Sequence, residues 1–172
     1  IDLATRGPGE VFLGKFDAPG EKESLAAPRG LAVAGGLVYV ADRDANRIAV
    51  FKESDRSLAG QIKVEDPQGV GVDPATGAVY VCAHTGKPNP NGKQTADLVK
   101  FDGYRSGREL YRLTLPRTGL NPNTGVHRIA VDASARPVRI WVPDIPYSPS
   151  RLACIEDTGE RLVNLGDPRD TK

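Results

Sequence analysis

The sequence predicts an all-β chain made of repeated four-stranded antiparallel units, and three observations carry that reading. Between Pro28 and Lys52 the apolar runs are short: Leu31–Val33, Leu37–Ala41 and Ile48–Phe51. They are separated by Gly35-Gly36 and by the polar stretch Asp42–Asn46. Runs of this length, rich in β-branched and aromatic residues and bounded by turn chemistry, form an antiparallel meander. The pattern then returns, because PQGVGVDPATGAVYVCA from Pro67 repeats PRGLAVAGGLVYVA from Pro28 at a Gly30-to-Gly69 spacing of 39 residues. Finally, 19 Gly and 14 Pro suit many short strands joined by tight turns, and helical periodicity is missing. Four-stranded antiparallel units at this period are the blades of a β-propeller.

Taken in order, residues 1–10 are a loose lead-in and residues 10–17 alternate Val11 and Leu13 with polar neighbours, predicting one leading strand. The first blade spans 28–64, with strands at Gly30–Val33, Leu37–Ala41, Arg47–Phe51 and Leu58–Val64. The second spans 67–115; Asp73–Gly77 is its first turn, and Asp97–Phe101 and Glu109–Leu115 are its outer strands. Its polar stretch His84–Ala96 reads as an inserted loop. The third spans 125–165, with strands at Arg128–Asp132, Val138–Val142, Arg151–Glu156 and Glu160–Leu165 and a proline-laden loop at Pro143–Ser150. Residues 1–172 therefore read as a partial propeller of three blades plus one strand. A closed ring usually has four to eight blades, so the expectation is a fragment of a larger, six-bladed ring, or copies that associate to close one. Methionine is absent even at position 1, which also fits a fragment or a processed product.

Hydrophobic residues at 39% and charged residues at 26% argue for a packed core and against disorder. A net charge of +1 gives no footprint for nucleic acid or an anionic membrane surface. No apolar stretch approaches the ~20 residues of a membrane-spanning helix. Cys82 and Cys154 have neither disulfide-scaffold nor metal-ligand spacing and read as buried free thiols.

The repeat also resembles a known family. Leu13-Gly14-Lys15-Phe16, Pro28-Arg29-Gly30-Leu31-Ala32-Val33, Val38-Tyr39-Val40-Ala41-Asp42 and Asn46-Arg47-Ile48-Ala49-Val50-Phe51 are similar to the NHL repeat. The second unit keeps Pro67, Gly69, Val79-Tyr80-Val81 and Phe101 but has Ala83 for the Asp. The third keeps Ile129-Ala130-Val131-Asp132, Trp141-Val142 and Asp144 without the preceding Pro and Gly. The resemblance implies a propeller with a central channel. Its members include protein-binding scaffolds, RNA-binding platforms, and lyases or lactonases with a metal over the channel, so the fold alone implies no single activity.

The meander predicts one polar constellation. Arg29, Gln68 and His127 precede the first strand of each blade, and Asp42, His84 and Asp144 follow the second, so all six are expected at one mouth of the channel. The leading functional reading is a non-catalytic portion that binds a protein or ligand through its loop face, with Gln68, Asp42, His84 and Asp144 as binding residues. The alternative is a metal-dependent lyase or lactonase-type enzyme. His127 is then the metal ligand or base, beside Arg29 as the group polarising an anionic substrate, and Zn²⁺ or Ca²⁺ is held in the parent protein. Asp42 has a structural alternative as the anchor of the turn after its strand. Tyr39, Tyr80 and Trp141 share one repeat position and are expected to pack between blades. Expected partners are another protein, the remaining blades or a second copy, with no nucleic acid. The fold class suggests a bacterial, exported protein, extracellular or periplasmic.

Overall fold

The computed structural model describes residues 25–88, 94–115, 128–144 and 151–168. Three four-stranded antiparallel sheets account for them, and no helix occurs among the described residues. The first sheet is β1 (Pro28–Ala34), β2 (Leu37–Asp42), β3 (Arg47–Lys52) and β4 (Leu58–Lys63), paired in that order. The second is β5 (Pro67–Val72), β6 (Val79–Pro88), β7 (Gln94–Phe101) and β8 (Glu109–Leu115). The third is β9 (Ala130–Asp132), β10 (Val138–Asp144), β11 (Arg151–Asp157) and β12 (Leu162–Gly166).

Local chemistry sets each meander. Gly35 and Gly36 have φ of 58° and 72°, the left-handed pair that a two-residue hairpin needs, and Ala34 pairs with Leu37 across it. The corresponding turn in the second sheet is longer. Gly77 N–H reaches the Asp73 carbonyl at 2.8 Å, and the Asp73 carboxylate accepts from Ala75 N–H and the Thr76 hydroxyl. The register repeats from sheet to sheet. Tyr39, Tyr80 and Trp141 lie opposite Ala32, Gly71 and Ala130, and each third strand carries its irregularity at Val50/Phe51, Lys100/Phe101 or Cys154/Ile155.

Burial on both faces follows from stacking. Tyr39, Ile48, Val50 and Ile62 of the first sheet meet Val70, Val81, Val99 and Phe101 of the second in one apolar cluster. Tyr80, Cys82 and Leu98 of the second meet Ile140, Val142 and Ile155 of the third in another. Successive sheets therefore cover one another's apolar faces, the arrangement expected of blades. Cys82 and Cys154 are buried and outside any disulfide, and burial raises the Cys154 thiol above its usual value.

Three differences from the sequence reading stand out. The expected His84–Ala96 loop is in part a continuation of the β6–β7 hairpin, since pairing runs on from His84 with Ala96 to Pro88 with Gln94. The last strand starts at Leu162, because Thr158–Arg161 is a turn with Gly159 at φ 86°. The first strand of the third blade begins at Ala130 rather than Arg128. The leading strand at 10–17 lies outside the described residues.

The inner strands β1 and β5 approach at backbone distance. A Cβ on Gly30 would lie 2.8 Å from the Gly69 Cα and 2.9 Å from the Gln68 carbonyl oxygen. Both neighbours are main chain and cannot rotate away. Gly30→Ala is therefore expected to cost about 1–3 kcal/mol through forced displacement of one inner strand. A lowered thermal midpoint checks this, and an unchanged midpoint would contradict the close approach.

Candidate functional site

The end of the sheets at which the sequence places the channel mouth includes the ends of β2 and β6 and the segments leading into β1 and β5. Arg29 and Gln68 both sit at a register shift, between Pro28 and Gly30 and between Pro67 and Gly69, which takes them out of the regular pairing. Their surroundings differ: Arg29 is exposed, whereas Gln68 is buried.

Asp42 is wholly buried and engaged in the fold. One carboxylate oxygen accepts from Ala26 N–H at 2.8 Å and Ala27 N–H at 2.9 Å, and the other accepts from Arg47 Nε at 3.1 Å. It thus anchors the segment entering β1, not the following turn for which the sequence suggested it. Asp144 occupies the same place in the third sheet, since its backbone pairs with Arg151 as that of Asp42 does with Arg47.

His84 is one residue out of step with them. Pro28 pairs with Asp42 and Pro67 with Ala83, so Ala83 holds the Asp position and His84 corresponds to Arg43. The main chain agrees, because Arg43 N–H donates to the Ala27 carbonyl and His84 N–H to the Asp66 carbonyl, each at 3.0 Å. Asp66, which the sequence reading passed over, organises this corner. Its carboxylate accepts from Gln68 Nε2 at 2.6 Å and lies 3.4 Å from His84 Nδ1. Its own N–H donates to Asn46 Oδ1 at 2.9 Å, which ties the first blade's turn to the second blade. Asp66 and Asn46 have φ of 42° and 52°, values that short polar residues tolerate best.

The structure thus brings Gln68 and His84 together through Asp66. Arg29 stands exposed on the first blade, and His127 lies outside the described residues. Among the described residues no group of three or more His, Cys, Asp or Glu side chains is placed to hold a metal. Asp42 is already bonded to two N–H groups and a guanidinium, so its carboxylate is engaged in the fold and not available as a metal ligand.

A second polar group lies at the opposite end of the strands, between the second and third sheets. Lys100 Nζ is 2.5 Å from Asp157 Oδ2, and the Tyr80 hydroxyl donates to the same oxygen at 2.6 Å. All three residues are buried. They border a cavity of about 390 Å³ together with Asp73, Thr76 and Arg136. Burial alone would raise the Asp157 carboxyl. The Lys100 and Tyr80 bonds outweigh it and hold the group below the ordinary carboxylate range. Burial first, then the bond to Asp157, pushes the Tyr80 phenol well above its usual value. The sequence did carry a signal here, because LVKF puts a lysine where IAVF has Val50.

The architecture defines the class as a β-propeller, with four-stranded blades stacked face to face. Within that class the NHL repeat model matches residues 25–51, which hold the first two strands of the first blade and all but the last residue of its third. No curated protein matches the chain. Among solved structures, the hydrazine synthase of Kuenenia stuttgartiensis aligns at 16% identity and a TM-score of 0.37, over 81% of this chain and 54% of that one. A protein from Lactobacillus plantarum aligns at 16% identity and a TM-score of 0.38, over 84% of this chain and 57% of that one. The chain therefore spans little more than half the length of these two structures.

Two outcomes test the site geometry. Asp42→Ala leaves Arg47 and two N–H groups without their acceptor and is expected to cost about 3 kcal/mol, read by denaturant unfolding. Asp157 has a depressed folded-state pKa, so its stabilisation is present above the ordinary Asp value and lost as pH falls through the folded value. The thermal midpoint should therefore fall below about pH 4, and Asp157→Asn should flatten that acid limb; an equally steep limb would refute the assignment.

Proposed function

We propose that this propeller portion is a non-catalytic scaffold that binds a protein or ligand through the loop face at the channel mouth. One observation carries the reading. The β6–β7 hairpin continues four residues past His84, from 85 to Pro88, where the first blade turns directly between Asp42 and Arg47. Four extra strand residues extend the hairpin by about 13 Å. An extension of one repeat relative to another is where repeat folds place recognition. The groups beneath it, Asp66, Gln68 and His84, are bonded to one another and form a base for the hairpin. Asp42 is committed to holding the chain, which favours binding over proton transfer at that position. Among the described residues no helix is long and apolar enough to cross a membrane.

The test replaces residues 85–95 with the Asp44–Asn46 turn of the first blade. Peptides selected from a phage-displayed library against the full chain should bind the shortened variant at least ~10-fold more weakly, a loss of ~1.4 kcal/mol. Its thermal midpoint should stay within a few degrees. Undiminished peptide affinity in a folded variant would refute the hairpin as the recognition element.

A further inference from the structure

A cavity of about 390 Å³ opens between the first and second blades, at the end of the strands opposite the segments leading into β1 and β5. Leu37, Val72 and Pro74 give it apolar walls, and the Tyr39 and Tyr104 rings in its lining meet edge to face at 6.2 Å. Tyr39 is only 3% exposed, yet among the described residues its hydroxyl has no hydrogen-bond partner. Its counterpart one blade on, Tyr80, has one, because it donates to Asp157 at 2.6 Å. The register explains the difference. Phe101 and Ile155 are matched positions, as partners of Val79 and Ile140, so Gly103 stands where the third blade has Asp157. A Cβ on Gly103 would have the Gly77 carbonyl oxygen, at 3.5 Å, as its one described neighbour within 4 Å, so the place of the missing carboxylate is open. Gly103 itself lines the cavity.

From this we infer that the cavity is a binding site for a small carboxylic acid with an apolar or aromatic body. The ligand's carboxylate takes, on the Tyr39 hydroxyl, the place that Asp157 takes on Tyr80. Burial, and then the neighbouring Tyr104, raises the Tyr39 phenol above its ordinary value, so it stays a donor at neutral pH. The Lys100 position is Val50 in the first blade, and the counter-charge comes instead from Arg105, which lines the same cavity. Arg105 Nε donates to the Tyr104 hydroxyl at 3.3 Å, and the guanidinium lies 5.8 Å from that ring's centre. Among the described residues it has no acidic partner. Asp102, the acidic group of the lining, is already bonded to Ser106 and Arg108. The charge left over is therefore positive, which selects an anion over a neutral molecule of the same shape. Two phenol rings and the apolar walls remove the ligand's body from water. The volume lies near the lower end of the ~300–1,000 Å³ of small-molecule sites, which suits one ring or a short chain. This site is distinct from the loop face, and it stands or falls independently of what that face binds.

The experiment titrates benzoate, phenylacetate and hexanoate, each beside its own neutral amide, into the isotope-labelled full chain and follows amide and tyrosine-ring signals by nuclear magnetic resonance. At least one acid should give saturable shifts centred on the Gly77 and Gly103 amides and the Tyr39 ring, and should bind about tenfold more tightly than its amide. Tyr39→Phe removes a hydroxyl that the fold does not use. It should leave the thermal midpoint in place and weaken the acid about tenfold. Arg105→Gln, at an exposed position, should abolish the preference for acid over amide. Shifts that fail to saturate with all three acids, binding unchanged in Tyr39→Phe, or amides that bind as tightly as their acids would overturn the site.

Discussion

A four-stranded blade has two apolar faces and cannot bury either by itself, and that requirement shapes this chain. The second sheet shows it best, since Val81 and Val99 face the first blade while Cys82 and Leu98 face the third. Alternation along β6 and β7 makes this possible: side chains of successive residues go to opposite faces, so a run buried throughout serves both neighbours. The close passage of β1 past β5 follows from the same stacking, because blades that converge on an axis crowd their innermost strands. Gly30 is the residue that permits it.

Polar groups are then fitted around the stack in two different ways. At one end of the sheets, Asp42 and Asp66 hold the segments that lead into the first and second blades, by accepting main-chain or side-chain N–H groups. These bonds fix loops without adding a buried net charge at a blade face. Between the second and third blades, Lys100 and Asp157 are placed inside the packed face itself. Such a pair adds little stability relative to apolar residues of similar size, whereas removing one partner alone would leave a buried charge without its counterion.

Much of this was legible in the sequence. The alternation of apolar runs with Gly35-Gly36 and Asp73–Gly77 gave the strand order and the turns, because those turns depend on local backbone chemistry. The shared position of Tyr39, Tyr80 and Trp141 was also readable, since it needs only counting from the repeat. Register across a bulge was not. His84 looked equivalent to Asp42, yet the pairing of Pro67 with Ala83 puts it one residue further on. The hairpin beyond His84 was hidden because Gly, Pro and Asn speak for a loop, whereas strand pairing there continues that of β6 and β7. Asp66 and Asp157 went unnoticed because their importance comes from partners distant in sequence, Asn46 and Gln68 for one and Tyr80 and Lys100 for the other.

Radial stacking with inner strands in backbone contact is the claim on which the mouth, the hairpin and the packing of the second blade on the third all rest. Proton–proton contacts measured by nuclear Overhauser spectroscopy on the labelled full chain test it directly. Stacking of this kind predicts strong cross-peaks between the α-protons of Gly30 and Gly69, together with contacts from Val50 to the Phe101 ring. Absence of the glycine cross-peaks, in spectra that show the antiparallel pairings within each sheet, would mean that the sheets form but do not stack as blades.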